Sequence, residues 1–155
     1  MSPTPYVPEQ VPPDITKTLL DTYWNDLNGK VPKPELRILN IGDEPPIETV
    51  GDNDYILISS DAGGEEEKLR DAWSYKDLKF TIMLELATMI NRQRLYDIKK
   101  IIRGIIHTNI HNQTVTGFHI IRYVGFREIV VDTQNIWKGI VTMSYESNGI
   151  PLDKL

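Results

Sequence analysis

Cysteine is absent from this chain of 155 residues, and its absence removes a set of chemistries. Without a thiol there is no cysteine nucleophile, no disulfide framework and no cysteine-ligated metal, so a reducing or indifferent compartment is expected. Long apolar runs are also missing, since no uninterrupted stretch approaches the roughly 18 residues that a transmembrane helix needs. The N-terminal sequence MSPTPYVPEQVPPD lacks the basic-then-apolar order of a signal peptide. We therefore expect a soluble protein that is made inside the cell and has no membrane partner.

The short motifs that mark common enzyme classes are missing as well. The chain contains no GxxxxGK[ST], GxGxxG, HExxH or GxSxG, so phosphate loops, dinucleotide-binding turns, zinc-protease helices and nucleophile elbows are all absent. These absences favour a protein that is not an enzyme, with no catalytic residue, no cofactor and no metal.

Three histidines form the first candidate site against that expectation. His107 and His111 have the i, i+4 spacing that places two imidazoles on one helix face, and His119 could supply a third metal ligand. Thr108 stands where a zinc-protease helix would carry its glutamate. Surface histidines in a loop are therefore the favoured interpretation, and a small histidine-metal enzyme is kept as an alternative.

Carboxylates supply two further candidates. The segment DAGGEEE, residues 61–67, could bind Mg²⁺ or Ca²⁺, but it lacks the alternating oxygen ligands of a calcium loop, so a solvated acidic loop is favoured. Asp77, Lys79 and Glu85 alternate on one strand face, as in a two-metal nuclease. Asp77 and Glu85 are eight residues apart, roughly 26 Å at strand rise, and that distance excludes a shared metal.

Arg92, Lys99 and Arg103 lie in one narrow stripe when residues 92–107 are drawn as a helix. Such a stripe could track phosphates. It lacks the interleaved aromatics of a single-strand binder and the polar set of a base-reading helix, so a solvated or ion-paired flank is favoured. A nucleic-acid-binding accessory domain remains the second alternative.

The net charge of −5 is unevenly distributed along the chain. Residues 43–67 contain nine acidic and no basic residues, whereas residues 68–128 contain eleven basic and five acidic residues. Faces of opposite charge suit head-to-tail contacts between identical copies, which close into a ring when the rotation fits. Two independently solvated halves are the simpler alternative.

The hydrophobic pattern predicts an α+β fold with two main helices packed on a mostly antiparallel sheet. An extended Pro-rich arm is expected over residues 1–12 and a single α+β domain over residues 13–155. The first predicted element is a helix capped by Asp14 and stopped by Gly29, and strands follow over residues 35–41, 55–60 and 77–88. A second helix is predicted from Asn91 to about His107. After it come either two strands or one strand kinked at Gly125, and then a final strand over NIWKGIVTMSYES. Residues 61–75 are predicted as an exposed, acidic excursion, and residues 108–117 as a loop.

In this order of elements the chain resembles the tail terminator, or tail-completion, proteins of the neck of tailed phages and archaeal tailed viruses. The resemblance rests on an amphipathic helix from Ile15 to Leu27 that is followed by a strand, then on an acidic, Gly/Pro-rich excursion and the long alternating strand LKFTIMLELAT. The helix RLYDIKKIIRGII directly after it and the closing strand NIWKGIVTMSYE complete the pattern. It covers nearly the whole chain beyond residue 12. The Pro-rich start departs from the compact N-terminus of that family.

The resemblance implies a virion structural protein at the tail–neck junction. Copies are expected to form a homo-oligomeric ring, typically a hexamer, that sits on the tail tube protein, stops tube growth and meets the neck or head-connector protein. No specific nucleic-acid contact is implied, although DNA can pass through the ring. Assembly would take place in the host cytoplasm, and no functional residue carries over from the family.

Overall fold

A five-stranded mixed sheet organises the chain in a computed structural model, which describes residues 11–39, 54–70, 75–130 and 136–151. The elements, in chain order, are α1 (Pro12–Tyr23), β1 (Glu35–Ile38), β2 (Tyr55–Arg70), β3 (Tyr75–Thr88), α2 (Arg92–Thr108), α3 (Gln113–Thr116), β4 (Ile120–Ile129) and β5 (Trp137–Pro151). The strand order across the sheet is β1-β2-β3-β5-β4, with β1 parallel to β2 and the other neighbours antiparallel. The predicted α+β class and mostly antiparallel sheet are confirmed, and α3 is an additional short helix.

The core lies between helices α1 and α2 and one face of the sheet. Alternate residues of β3 and β5 point into it, because successive side chains of a strand project to opposite faces. Its fully buried strand residues include Ile82, Leu84, Leu86, Val141, Met143 and Tyr145, and its helical residues include Ile15, Leu19, Leu95, Ile98 and Ile102. The periodicity of two in β3 and the helical periodicity in α2 therefore form the two halves of one apolar interface.

Helix α2 begins where the sequence predicts. The Asn91 side chain accepts a hydrogen bond of 2.8 Å from the backbone N–H of Arg94, which satisfies one of the donors left free at a helix start. At the other end, the backbone N–H of Asn109 donates to the carbonyls of Ile105 and Ile106. Asn91 is thus confirmed as the N-cap.

The predicted limits of α1 are wrong at both ends. Asp14 is not the N-cap but lies in the first turn, because Pro12 and Pro13 carry the φ angle that suits the first helical positions. The helix ends at Tyr23, and Gly29 comes six residues later in a turn with a φ of 82°. Residues 1–10 of the predicted arm lie outside the described residues.

The acidic excursion predicted over residues 61–75 is also wrong for residues 61–70, while residues 71–74 lie outside the described residues. Residues 61–70 continue β2, and their backbone pairs with β3 in the register Glu65↔Phe80 to Arg70↔Tyr75. The register shifts between Ser60 and Glu65, so a bulge absorbs the Gly-Gly pair that suggested a loop. A regular ladder on β3 supplies backbone hydrogen bonds that outweigh the local turn signal.

A buried chain of hydroxyl groups joins β5 to α1. The Thr16 hydroxyl lies 2.6 Å from the Tyr145 hydroxyl and donates to the Pro12 carbonyl at 2.8 Å. Because Thr16 has one hydroxyl proton, Tyr145 is the donor of the first bond. Burial raises the pKa of Tyr145 far above its usual value, so the hydroxyl keeps its proton at neutral pH.

Replacing Tyr145 by phenylalanine is expected to lower the free energy of unfolding by about 1–2 kcal/mol, because the buried Thr16 oxygen loses its donor. Urea denaturation measures this loss. In a Thr16→Val background the same change is expected to cost less, since no orphaned acceptor remains. Tyr23→Phe, at a ring that is 38% exposed, is the matched control and should change stability by less than about 0.5 kcal/mol. Equal costs in both backgrounds would contradict the assigned bond.

Candidate interaction surface

The flank of α2 that faces β4 carries cations and aromatic rings in alternation. Arg92, Tyr96, Lys99 and Arg103 follow one another at intervals of three or four residues, so they lie in a row along one side of the helix. Tyr123 and Phe126 of β4 lie beside these four helical residues. We call the six residues together the basic–aromatic row.

The members of the row contact one another directly. The Lys99 ammonium lies 5.3 Å from the centre of the Tyr96 ring and 5.5 Å from that of Phe126, and the Arg103 guanidinium lies 5.5 Å from the Tyr123 ring centre. The Tyr96 and Phe126 rings meet edge to face at 5.4 Å. These are favourable cation–π and aromatic geometries that hold α2 against β4.

Glu128 neutralises one end of the row. Its carboxylate accepts bonds of 2.8 Å and 2.9 Å from Arg92, and this pairing lowers the pKa of Glu128 and raises that of Arg92. The same carboxylate raises the pKa of the Tyr96 hydroxyl. Lys99 and Arg103, in contrast, form no ion pair with another residue in the described part of the chain.

This arrangement overturns one sequence-based argument. The stripe of Arg92, Lys99 and Arg103 was expected to lack interleaved aromatics, and the structure places three rings among these cations. Tyr96 was visible in the helical sequence itself. Tyr123 and Phe126 come from another strand, so only the tertiary fold brings them to the row.

A glycine makes room for the Phe126 ring. A Cβ atom on Gly139 would lie 2.5 Å from two ring carbons of Phe126, so the ring occupies the space above this glycine of β5. Phe126 is opposite Val141 and Tyr123 is opposite Met143, both core-facing residues. The register shift between Tyr123 and Gly125 turns both rings to the helix side although they are three residues apart.

The opposite face of the sheet is not covered by α1 or α2. Near β4 it carries a shallow depression of about 440 Å³, whose lining includes Met83, Val124, Arg127, Ile140 and Thr142. Val124 is 59% exposed and Val130, just beyond β4, is 93% exposed. Since β4 is the outermost strand, these apolar side chains lie at an edge of the sheet.

Two of the three predicted histidine candidates lie close together, since Nδ1 of His111 is 3.4 Å from the backbone carbonyl oxygen of His119. His107 lies on α2 beside the Tyr123 ring, with 6.3 Å between ring centres, whereas His111 lies beyond the end of the helix. The Nδ1 atom of His119 accepts a 2.9 Å hydrogen bond from the Asn148 N–H, and burial lowers the pKa of His119. Within the described ranges, no three His, Cys, Asp or Glu residues form a group that could hold a metal ion.

The carboxylate candidates lie on two paired strands, β2 and β3. Asp77, Lys79 and Glu85 belong to β3, where Glu85 lies near the Tyr55 hydroxyl and Lys138. Burial raises the pKa of Tyr55, and a hydrogen bond with Lys138 partly opposes that shift. The backbone of residues 61–67 is part of β2 and not of a loop.

None of the described helices is long and apolar enough to span a membrane. No protein-family model matches the chain. A search of curated proteins finds no match either.

Proposed function

We propose that this chain is a virion structural protein at the tail–neck junction of a tailed virus. Copies form a ring, expected to be a hexamer, that caps the tail tube and joins it to the head connector. The protein acts through geometry: it occupies the growing end of the tube and fits one ring to another. No bond is made or broken.

The observation that carries the proposal is the exposed edge strand β4. Val124 on this strand and Val130 just beyond it expose their side chains at the edge of the sheet. Apart from its pairing with β5, the strand forms one backbone hydrogen bond to another segment within the described ranges, from the Ile121 N–H to the Ile110 carbonyl. An edge strand with exposed apolar side chains is a template for association with another chain. A second copy is the partner proposed for this edge, and a contact between different surfaces of successive copies generates a ring.

The charge distribution supports contact between unlike surfaces. Arg127 is exposed beside Val124 and forms no ion pair with another described residue. The acidic stretch 43–67 of a neighbouring copy has no cation of its own. Complementary charges of this kind orient the encounter between copies more than they add affinity.

The order of elements supports the same proposal. An N-terminal helix with a strand after it, the long strand β3 with α2 directly after it, and the closing strand β5 follow one another in the order on which the resemblance to tail terminators rests. Residues 61–70, in the acidic part of that pattern, form a strand. Among the described residues the helices cover one face of the sheet, and the second face and the β4 edge are the surfaces proposed for contacts with partners. Residues 61–70 extend the β2–β3 pair beyond the bulge after Ser60 and lengthen the sheet.

The test is the oligomeric state measured by size-exclusion chromatography with light scattering, for the protein alone and with tail tubes of the same virus. Wild-type protein is expected to form a closed oligomer, either alone or on tube ends. Val124→Asp is expected to remain monomeric under both conditions, because the aspartate places a negative charge at the β4 edge, where the acidic stretch of the neighbouring copy is proposed to lie. Val115→Asp, at a valine of α3 that is 37% exposed, is the matched control and should assemble as wild type does.

Two outcomes contradict the proposal. If the wild-type protein stays strictly monomeric at the highest concentration and in the presence of tube ends, it does not form a ring. Val124→Asp protein that assembles as well as wild type would show that β4 is not the contact between copies.

A further inference from the structure

We infer that the basic–aromatic row between α2 and β4 binds single-stranded nucleic acid. This function goes beyond ring formation and uses a different surface from the β4 edge. The inference rests on the charges, rings and length of the row.

The first argument is unneutralised positive charge. Of the three cations in the row, only Arg92 has a carboxylate partner in the described structure, namely Glu128. Lys99 and Arg103 point their charges at ring faces instead. The exposed Lys100 lines one depression with Tyr96, Asp97, Lys99 and Arg103, so three cations surround one carboxylate there. This local charge suits a phosphate backbone although the whole chain is acidic.

The second argument is the alternation of rings with cations. Tyr96, Tyr123 and Phe126 are each partly exposed, so part of each ring is accessible from solvent. Proteins that bind single strands without sequence preference combine a cationic track with aromatic side chains on which bases stack. A phosphate would draw the Lys99 ammonium off the Tyr96 and Phe126 faces, and a base could then take its place on a ring.

The third argument is dimension. From Arg92 to Arg103 the helix rises by about 16 Å. At a rise of about 3.4 Å per nucleotide, this length accommodates roughly five stacked nucleotides. The row is therefore long enough for several phosphates and bases to bind at once.

The geometry favours a single strand over two other polyanions. A helix that reads duplex DNA enters the major groove with an exposed face, whereas the row lies at the junction of α2 with β4. An acidic peptide would meet the cations but has no flat group to stack on the three rings. Bases supply that group in every sequence.

Fluorescence anisotropy of a labelled oligothymidylate tests the inference on the full-length protein. Wild type is expected to bind, with an affinity that falls as salt rises by a slope of about −0.7 per phosphate neutralised. The double variant Lys99→Glu, Arg103→Glu is expected to bind at least about tenfold more weakly and with a shallower salt slope. Phe126→Leu is expected to weaken binding by roughly tenfold with the slope unchanged, because it removes stacking and no charge.

The matched control is the double variant Lys17→Glu, Lys30→Glu, which changes the net charge by the same amount. Lys17 and Lys30 are exposed and belong to α1 and to the segment between α1 and β1, away from the row. This control should bind within about threefold of wild type, since its effect is only long-range and screened. Circular dichroism and urea denaturation confirm that each variant is folded.

The remaining outcomes overturn the inference. If the protein does not bind at low salt, or if the two double variants lose affinity equally, the row is only a packing contact between α2 and β4. Equal affinity for duplex DNA and for the single strand would show that the rings do not stack on bases. Stronger competition by a synthetic peptide of residues 43–67 than by unlabelled oligothymidylate would identify an acidic protein segment as the partner.

Discussion

Replacement of Ile98 by alanine is expected to lower the free energy of unfolding by about 2–5 kcal/mol, the largest effect predicted for a single residue of this chain. Ile98 has no exposed surface and lies in the middle of the α2 face that packs on the sheet. The change removes apolar contacts and leaves a cavity that the surrounding strands cannot fill, because β3 and β5 are fixed by their ladders. Urea denaturation of the purified protein gives the loss.

The matched control is Ile90→Ala. Ile90 precedes α2 and is 50% exposed, so the same chemical change removes little buried surface and should cost less than about 1 kcal/mol. A loss at Ile98 no larger than that at Ile90 would mean that α2 does not pack on the sheet through this face. The proposed core would then be wrong.

The success of the sequence-based prediction at β3 and α2 has a physical basis. Both elements bury one face in a single core, so burial imposes a period of two on the strand and of 3.6 on the helix. Asn91 separates the two periods and caps the helix by a local bond to Arg94. Local and tertiary preferences agree here, and the pattern alone therefore indicates the elements and their limits.

Residues 61–70 show where such reasoning fails. Gly63, Gly64 and the glutamates that follow indicate a loop by local preference, but the chain forms a strand because β3 offers a long partner ladder. The helix limit near Gly29 fails for a related reason. The chain leaves α1 after Tyr23 and turns through two non-glycine residues of positive φ, Leu27 and Asn28, which no pattern of apolar residues marks.

Only part of the basic–aromatic row could be predicted from the sequence. Arg92, Lys99 and Arg103, which were predicted as a stripe, and Tyr96 share one helix, so the helical period places them on one side. Tyr123 and Phe126 are three residues apart, and alternation along a strand would place them on opposite faces. The bulge beside Gly125 puts them on the same face, and a bulge has no reliable signature in a single sequence.

Gly139→Ala is the second large effect, with an expected loss of about 1–3 kcal/mol from overpacking. The new methyl group would lie 2.5 Å from the Phe126 ring and 3.2 Å from the Arg127 carbonyl, so the ring must move away from β5. Tyr96 and Lys99 contact that ring and lose their packing with it. Urea denaturation measures the loss, and the fluorescence of a nucleic-acid probe reports any accompanying change in binding.

A second background separates this clash from other effects of the alanine. In a Phe126→Leu variant the ring is absent, so Gly139→Ala is expected to cost at least about 1 kcal/mol less than in wild type. Gly125→Ala is the positional control, because a Cβ there meets nothing within 4 Å and should change stability by less than about 0.5 kcal/mol. An equal cost of Gly139→Ala in both backgrounds would show that the ring does not rest on this glycine. A smaller cost in the Phe126→Leu background would show that the two positions interact. The absence of a side chain at Gly139 would then be what leaves room on β5 for the Phe126 ring of the basic–aromatic row.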